Sequence, residues 1–383
     1  MPTPDDTLSI TTGGQTLSGW QQVRVTRGVE RFPSDFSISL TERYPGAAAE
    51  VVVAPGQPCV VRIGADVVLT GYVDRYVASI ASSSHTVEIT GRSKGQDLVD
   101  CAVAFEGNQV VNQTVQQLAE VLAKPYGVAV VAPDGPGKTI PQLNIMLGDR
   151  VFEVVERVAR WSRFLAYDDT AGNLVLAKVG QQRHASGFRQ GVNVQSAQAT
   201  YAMDQRFSEY VAYIMSMNDT LLTQAVGTAP GSGNQQGVFK DPGVPRFRRH
   251  VIISEQANEQ GGSVAADRAK WEAARRYGRS QAVTLTADSW RDSEGLLWEP
   301  NRRAPVHLPA LKLKDIEWMV SEVTYQRGGA DGTVANLTLM PPEAFDPEPT
   351  ILAPFLWQVT QALQQTPAQA RPEQRNTLTT GPS

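Results

Sequence analysis

The sequence VVLTGYVDRYVASIASSSHTVEITGR, residues 67–92, contains two candidate strands joined by a serine-rich connection. In the second strand Val87 and Ile89 alternate with polar residues, and a period of two is typical of a strand that buries one face. Gly71 interrupts the first strand, where a glycine suits a bulge or a sharp bend. The stretch therefore predicts a β-hairpin that packs one face on a core.

The same pattern returns at residues 317–340, EWMVSEVTYQRGGADGTVANLTLM. Each hairpin follows a short strand flanked by proline, PGQPCVVRI at residues 55–63 and NRRAPVHLP at residues 301–309. Residue identity between the two hairpins is almost nil, so one alternative is that two unrelated hairpins share a pattern. The matching proline-flanked strands before them favour the other alternative, two related sheet modules that superpose in space. A constant offset aligns the apolar positions Leu69 with Met319, Val73 with Val323, Val87 with Leu337 and Ile89 with Leu339.

Composition indicates a soluble, globular, β-rich chain. Its 383 residues suit two to four domains, and 41% hydrophobic with 19% charged residues is ordinary for a globular protein. The 32 glycines and 24 prolines indicate many turns. A net charge of -4 argues against a protein that binds the phosphates of nucleic acids tightly.

The sequence gives no sign of secretion or membrane insertion. The first residues, MPTPDDTLSI, have neither a basic start nor an apolar core, so we expect no secretory signal. No apolar run approaches the ~18 residues that span a bilayer. Cys59 and Cys101 are expected to be buried thiols rather than a disulfide.

The predicted fold class is mainly β with an α+β insert. Short alternating segments separated by turn signals predict a first small β-barrel at residues 1–96. The period changes near Asn108, which indicates an α+β insert at residues 97–180. Residues 181–205 are predicted to return to the first β-barrel.

Within the insert, we expect a helix with a capping box, a second helix and a hairpin. The box pairs Thr114 with Gln117, Asp149 is the expected N-cap of the second helix, and Gly172-Asn173 is the expected hairpin turn.

A second β-barrel, related to the first, is predicted at residues 206–345. It includes a long loop at residues 225–245, which is rich in Gly, Pro and Gln, and a helix at residues 264–277. Residues 346–383 are predicted to form a C-terminal helix followed by a disordered tail.

No motif for catalysis, cofactor binding or metal binding emerges. The segment DGPGKT, residues 134–139, matches the end of a phosphate-loop pattern, but Pro136 and Pro141 remove backbone donors that such a loop requires. The four histidines lack partners at ligand spacing. Asp168-Asp169 borders the hairpin turn and indicates turn chemistry. We predict no catalytic, cofactor-binding or metal-binding residues, although a glycosidase-type carboxylate pair would leave no spacing signature.

Three segments resemble those of a known family: RFSEYVAY at residues 206–213, DRVFEVVERVARWSRFLAYDDTAGNLVLAK at residues 149–178 and GTVANLTLMPPEAF at residues 332–345. Together they resemble the tail hub proteins of Mu-like contractile phages. These are similar to the hub of T-even phage baseplates and to the hub part of type VI secretion spike proteins. The resemblance extends over roughly residues 5–345 and consists of patterns of apolar, glycine and aspartate positions.

The resemblance implies a homotrimer in which two related β-barrels per subunit surround a channel as six similar modules. Such a ring would join the tail tube to the spike, with DNA present in transit and without specific binding or stable membrane insertion. It implies a virion baseplate protein that is assembled in the host cytoplasm and acts in DNA ejection, with no catalytic residues to carry over.

Two other functions stay open from sequence. One is a peptidoglycan hydrolase that acts during injection. The other is a carbohydrate-binding module, suggested by β-richness and seven tryptophans. Trp20, Trp161, Trp271 and Trp318 lie within periodic segments, which favours core positions over sugar platforms.

The C-terminal segment contains an apolar cluster outside both predicted modules. It consists of Phe355, Leu356 and Trp357, which we predict to contact a neighbouring baseplate protein.

Overall fold

The computed structural model describes residues 6–41, 53–81, 84–105, 109–214, 235–254, 261–328 and 332–347. These residues are mainly β, as predicted. Their strands form one large sheet and three small ones, with helices packed against the small sheets.

The first sheet module contains seven strands in an all-antiparallel arrangement with the order β3-β4-β7-β6-β5-β1-β2. Alternate residues of these strands face one core, as the period of two predicts. The strands are β1 (Leu8–Thr12), β2 (Gln15–Ser18), β3 (Gln22–Gly28), β4 (Asp35–Thr41), β5 (Pro58–Ile63), β6 (Asp66–Ala81) and β7 (Ser84–Ser93).

The hairpin predicted at residues 67–92 is confirmed as β6 and β7. Val87 and Ile89 are fully buried on its inner face. Gly71 lies where β6 approaches β7 closely, because a Cβ atom there would stand 1.9 Å from the carbonyl oxygen of Arg92. A bulge follows between Val73 and Arg75, so the expectation of a bulge near this glycine is confirmed.

The next segment builds a separate core from helices and two small sheets. Strand β8 pairs with β10, while β12 lies between β11 and β9. The elements are α1 (Gln96–Asp100), β8 (Gln109–Thr114), α2 (Val115–Ala123), a 3-10 turn (Lys124–Tyr126), β9 (Val130–Val131), β10 (Thr139–Asn144), α3 (Val151–Trp161), β11 (Leu165–Asp168) and β12 (Leu174–Ala177).

The local predictions in this segment are confirmed except at one cap. The Thr114 side chain accepts from the Gln117 N–H and the Gln117 side chain accepts from the Thr114 N–H, which completes the capping box. The hairpin turn contains Gly172 at a φ of +77°. Asp149 is not the N-cap of α3, which is Arg150, because the Asp149 carboxylate instead accepts the N–H of Met146 at 3.0 Å.

The remaining chain completes a second sheet module and a small α/β unit. The second module consists of β13, β14, β15, β19, β20, β21 and β22, and the small unit of β16, β17, β18 and α4. In chain order the elements are β13 (Gln182–Arg183), β14 (Phe188–Arg189), β15 (Val194–Tyr201), β16 (Glu209–Ile214), β17 (Gln235–Lys240), β18 (Arg249–Ser254), α4 (Gly261–Arg279), β19 (Gln281–Ala287), β20 (Arg302–Leu308), a 3-10 turn (Pro309–Leu311), β21 (Leu313–Arg327), β22 (Thr333–Met340) and a final 3-10 turn (Pro342–Phe345).

The strands at residues 181–205 do not return to the first module as predicted. Strands β13 and β14 pair in parallel with β20, and β15 pairs with β19. The alternation around Ala197 and Ala199 reveals a strand with one inward face, but it carries no information on which sheet accepts that strand.

The region predicted as one barrel at residues 206–345 divides into two parts. Strands β16 to β18 form their own three-stranded sheet, and α4 packs on it through Ala265, Ala269 and Ala273. The predicted helix at residues 264–277 is present as α4. Part of the predicted loop at residues 225–245 is strand β17, while residues 225–234 lie outside the described residues.

The strands of the two predicted barrels form one open sheet, and no barrel closes among the described strands. The order runs β15-β19-β22-β21-β3-β4-β7-β6-β5-β1-β2. A barrel requires the edge strands of one module to pair with each other. Here the edge of β3 pairs with β21 of the other module instead. The predicted C-terminal helix lies outside the described residues.

The two modules repeat one topology. Strands β15, β19, β20, β21 and β22 have the same chain order and the same spatial order as β3, β4, β5, β6 and β7. The constant offset is nevertheless wrong, since Val73 lies opposite Gly91 whereas Val323 lies opposite Leu337. The two hairpins correspond when their bulges are aligned, after Val73 in β6 and after Val320 in β21.

Candidate assembly surfaces

The junction between the modules is a six-residue antiparallel pairing of β3 with β21. Val23 lies opposite Arg327, and Val25 lies opposite Tyr325. Val25 and Tyr325 are both fully buried. The Tyr325 hydroxyl donates to the carbonyl oxygen of Trp298, so this polar atom is satisfied inside the core. The junction thus makes one continuous core from two modules.

Polar contacts cover the other face of the junction. The hydroxyls of Thr26 and Thr324 lie 3.1 Å apart across it. Arg31 forms a close ion pair with Asp35 and lies 3.5 Å from the Glu322 carboxylate in the other module. Such half-exposed ion pairs add little energy, so the buried apolar side supplies most of the stabilisation.

Asp168 joins the insert to the first module. Its buried carboxylate accepts the Ser34 N–H at 2.9 Å, the Ser34 hydroxyl at 2.6 Å and the Ser93 hydroxyl. The predicted turn chemistry is confirmed for Asp169, which accepts the N–H groups of Ala171 and Asn173 at 2.9 Å. Sequence reasoning missed the role of Asp168, whose only signal is a carboxylate among apolar strand residues.

His184 braces a loop of the second module and has no metal partner among the described residues. Its Nε2 atom accepts the Glu299 N–H at 3.1 Å, and its Nδ1 atom lies 3.3 Å from the Asp292 carboxylate. Burial lowers the pKa of His184 below its usual range, although the Asp292 carboxylate acts in the opposite direction. A neutral ring that accepts at Nε2 and donates at Nδ1 satisfies both contacts.

The phosphate-loop-like segment, the potential metal ligands and the two cysteines do not form a reactive site in the described part of the chain. Residues 134–139 lead into strand β10, so no helix N-terminus follows the phosphate-loop-like segment. Among the described residues, no three His, Cys, Asp or Glu side chains converge as a metal site requires. Cys59 is a buried free thiol whose pKa burial raises to about 12, and Cys101 is a half-buried free thiol.

Two of the crevices in the described part of the chain lie between domains. The smaller, of about 180 Å³, lies among Arg27, Tyr167 and Asn301 at the meeting point of the insert with both modules. The larger, of about 360 Å³, lies between α3 and α4 near Phe152 and Trp271. Ligand sites are usually ~300–1,000 Å³ and largely apolar, so the polar small crevice does not resemble one.

Several strand edges have no strand neighbour among the described residues, and two of them belong to β15 and β6, strands of the repeated modules. Strand β15 pairs with β19 along one edge only. Residues 77–81 of β6 pair with β7, but they extend past β5, whose last partner in β6 is Tyr72. Neither segment contains a charged residue, proline or glycine, the usual protection against edge-to-edge pairing. These two edges are the candidate assembly surfaces.

The predicted partner-contact residues lie outside the described part of the chain. They are Phe355, Leu356 and Trp357. Three of the four tryptophans expected in the core do pack on it: Trp20 and Trp318 on the core of the two modules, and Trp161 on the insert core. The expectation is wrong for Trp271, which lies outside the core clusters and whose indole N–H donates to the carbonyl oxygen of Asp346 at 2.8 Å.

Across the described ranges, none of the helices has the length and apolar character needed to cross a membrane.

Three family descriptions match successive parts of the chain. "Mu phage baseplate assembly protein GpP-like, N-terminal" matches residues 7–93, which coincide with the first sheet module. "Baseplate hub protein gp44-like, second domain" matches residues 95–178. "Mu phage baseplate assembly protein GpP, fourth domain" matches residues 261–348. The matched segments define a class of protein, the structural hubs of phage tail baseplates.

Individual proteins agree with these matches. Baseplate hub protein gp44 of Escherichia phage Mu is 27% identical over 343 residues, 89% of each chain. The 43 kDa tail protein of prophage MuSo2 from Shewanella oneidensis has a TM-score of 0.78 at 28% identity, over 89% of this chain and 99% of that one. The chain is therefore a baseplate hub protein similar to those of Mu-like phages, and as such it is a structural component of the virion tail baseplate.

More distant structures share the fold. A tail protein of Neisseria meningitidis MC58 has a TM-score of 0.73 at 19% identity, over 89% of this chain and 98% of that one. A component of the type VI secretion system of E. coli has a TM-score of 0.55 at 12% identity, over 90% of this chain and 80% of that one. The same arrangement of strands therefore tolerates almost complete sequence replacement.

Proposed function

We propose that the chain is the subunit of a homotrimeric ring at the centre of the baseplate, which joins the tail tube to the spike and leaves a channel for DNA. The observation that carries this proposal is the repeat of five strands in identical order, β3 to β7 and β15, β19 to β22. Three copies of a chain with two equivalent modules present six similar units.

A ring of this kind adapts one symmetry to another. Closed cyclic symmetry limits the assembly to a defined number of subunits. A surface formed by six similar modules can contact a sixfold tube, while the parts that differ between modules keep threefold symmetry for a spike. The insert and the small unit of β16 to β18 with α4 are such parts, since the two are built from different elements.

We infer a passive conduit rather than an enzyme. The chain has 35 Lys and Arg against 39 Asp and Glu, so it lacks the excess positive charge that would hold a passing DNA duplex. The proteins it is similar to are baseplate hub and tail proteins. No observation on the described residues favours the hydrolase or carbohydrate-binding alternatives over this role.

The partners we propose are two further copies of the chain, the tail tube protein and the spike protein. Assembly takes place in the host cytoplasm, before DNA ejection. Residues 346–383 carry the contact with a neighbouring baseplate protein through Phe355, Leu356 and Trp357. A chain truncated after Phe345 tests this part: it should form the ring but fail to join its neighbours in assembled tails. Tails that assemble normally with it would contradict the contact.

Electron micrographs of the purified protein at micromolar concentration test the ring. We expect top views with three identical subunits, six lobes of similar density and a central opening. The matched sample is the same protein after dilution below the dissociation point, in which the rings should separate into single chains. Particles without a ring at any concentration would overturn the proposed function.

A further inference from the structure

The junction inside the chain identifies which strands meet when two modules join. The edge of β3 in one module pairs with the distal part of β21 in the other. In the repeat, β15 corresponds to β3 and β6 corresponds to β21. Each of these two counterparts has an edge that lacks a strand neighbour among the described residues. Each chain therefore uses one pair of junction strands and leaves the equivalent pair available.

The register of the unused pair follows from the repeat. Counting from the two bulges, Ala78 corresponds to Tyr325 and Ile80 to Arg327. Ile38 lies opposite Ile89, and its counterpart Leu285 lies opposite Leu337.

The partners of those two residues extend the correspondence to the outer strands. Val23 lies opposite Ile38 and Ala197 lies opposite Leu285, so Ala197 corresponds to Val23 and Ala199 to Val25. Since Val25 lies opposite Tyr325, the counterparts Ala199 and Ala78 should face each other.

We propose that residues 77–81 of β6 in one subunit pair in antiparallel fashion with β15 of the next subunit. In this register Val77 lies opposite Thr200, Ala78 opposite Ala199 and Ile80 opposite Ala197. This inference rests on the proposed trimer and names the strand edges that close it. Head-to-tail contacts of this type form a closed ring when repeating the rotation from one subunit to the next returns to the first subunit.

The surroundings of both edges suit a second copy of the chain. Ala197 and Ala199 already pack against the shared core, so pairing would extend that core across the subunit boundary. Ile80 is 86% exposed and Val77 45% exposed on the other edge. A strand added to each edge would satisfy their outward backbone groups and cover these apolar side chains.

Paired cysteines test the register in the full-length protein. One variant combines Ala78→Cys with Ala199→Cys, and another combines Val77→Cys with Thr200→Cys, both in a Cys101→Ser background. Successive pairs alternate between close and wide spacing, so one of the two should have a separation that suits a disulfide. The control combines Ala78→Cys with Thr200→Cys, whose side chains would point to opposite faces of the sheet.

After mild oxidation, we expect a covalent trimer on a non-reducing gel from at least one matched pair and none from the control. If sedimentation gives a trimer but neither matched pair links, the proposed edges are wrong while the proposed function stands. If sedimentation gives single chains, both proposals fail. A covalent dimer from Ala78→Cys alone would show that two β6 edges meet, which also overturns the inference.

A disruptive substitution gives an independent readout. Ile80→Asp places a charge on a residue that a single chain exposes, so its folding should be unaffected. We expect the trimer to dissociate at a protein concentration at least about tenfold higher than for the unaltered chain, since burying an unpaired charge costs more than 1.4 kcal/mol. Leu147→Asp, at a 91% exposed position of the insert, is the matched control and should leave dissociation unchanged. Equal dissociation of the two variants would contradict the proposed edge.

Discussion

Val25 of the first sheet module lies directly opposite Tyr325 of the second, and solvent reaches neither side chain. The Tyr325 ring packs edge-on against Trp290, with ring centroids 6.2 Å apart. Because of this pairing the two modules share one core, and we expect them to unfold as one unit rather than as separate domains.

The Tyr325 hydroxyl stabilises this junction. Tyr325→Phe removes the donor to the buried carbonyl oxygen of Trp298, and we expect the free energy of unfolding to fall by about 1–2 kcal/mol. Urea unfolding monitored by tryptophan fluorescence measures the change. Tyr126→Phe is the control, since its hydroxyl donates to the Ala102 carbonyl oxygen at a half-exposed position where water can replace it. Equal losses in the two variants would contradict this explanation.

Asp168 holds the insert on the first module. Asp168→Ala leaves the Ser34 N–H and two serine hydroxyls without their acceptor, so we expect a loss of about 3 kcal/mol or more. Limited proteolysis should then cleave between the insert and the module before the rest of the chain. Asp204→Ala, at an exposed position, should change the free energy of unfolding by less than about 0.5 kcal/mol. An Asp168→Ala protein as stable as this control would exclude the proposed role.

His184 makes folding depend on pH. Burial lowers its pKa in the folded state below the ordinary value of 6.5, so between these two values the unfolded chain binds more protons than the folded one. The stabilisation from neutral His184 is present above about pH 6.5 and is lost as the pH falls through the folded-state pKa. His184→Gln keeps a donor and an acceptor but does not titrate.

The measurement is the free energy of unfolding from pH 7.5 to pH 5. We expect a smaller decline with falling pH in His184→Gln than in the unaltered protein. His250, whose pKa burial also lowers, is present in both proteins, so the difference between the two curves isolates His184. Parallel curves would show that His184 keeps an ordinary pKa in the folded protein.

The two thiols should differ in reactivity. Burial raises the pKa of Cys59 to about 12, so little thiolate forms and the reagent has no access. Cys101 is only half-buried. Titration with a disulfide reagent at pH 8 should modify one thiol per folded chain, identified as Cys101 by peptide mass, and two per chain in denaturant. Rapid modification of Cys59 in the folded chain would contradict the described core.

The local structure could be predicted where short-range physics decides it. The Thr114 and Gln117 capping box, the turn at Gly172 and the two hairpins depend on neighbours a few residues apart, and all are present. The repeat was also visible in the alternation of apolar residues. The constant offset fails because an apolar pattern with a period of two matches equally well after a shift of two residues. Aligned at the bulges, Ile89 corresponds to Leu337 and not to Leu339.

Long-range pairing could not be predicted from the same patterns. Ala197 and Ala199 reveal an inward face, but nothing local distinguishes a place beside β19 from one in the first module. Closed barrels were expected because each module has enough strands, whereas the edges of β3 and β21 pair across modules. The position of Asp168 beside a hairpin turn indicates turn chemistry. Its actual partners, Ser34 and Ser93, are 134 and 75 residues away in sequence, so no local pattern identifies them.

The central claim is that three copies of this chain form one hub. Sedimentation velocity over a range of micromolar concentrations tests it most directly. We predict a single species with three times the 41.6 kDa mass of one chain, and Ile80→Asp should shift it toward the mass of one chain. A species of 41.6 kDa throughout the range, from a protein that unfolds cooperatively and is therefore correctly folded, would contradict the hub assembly.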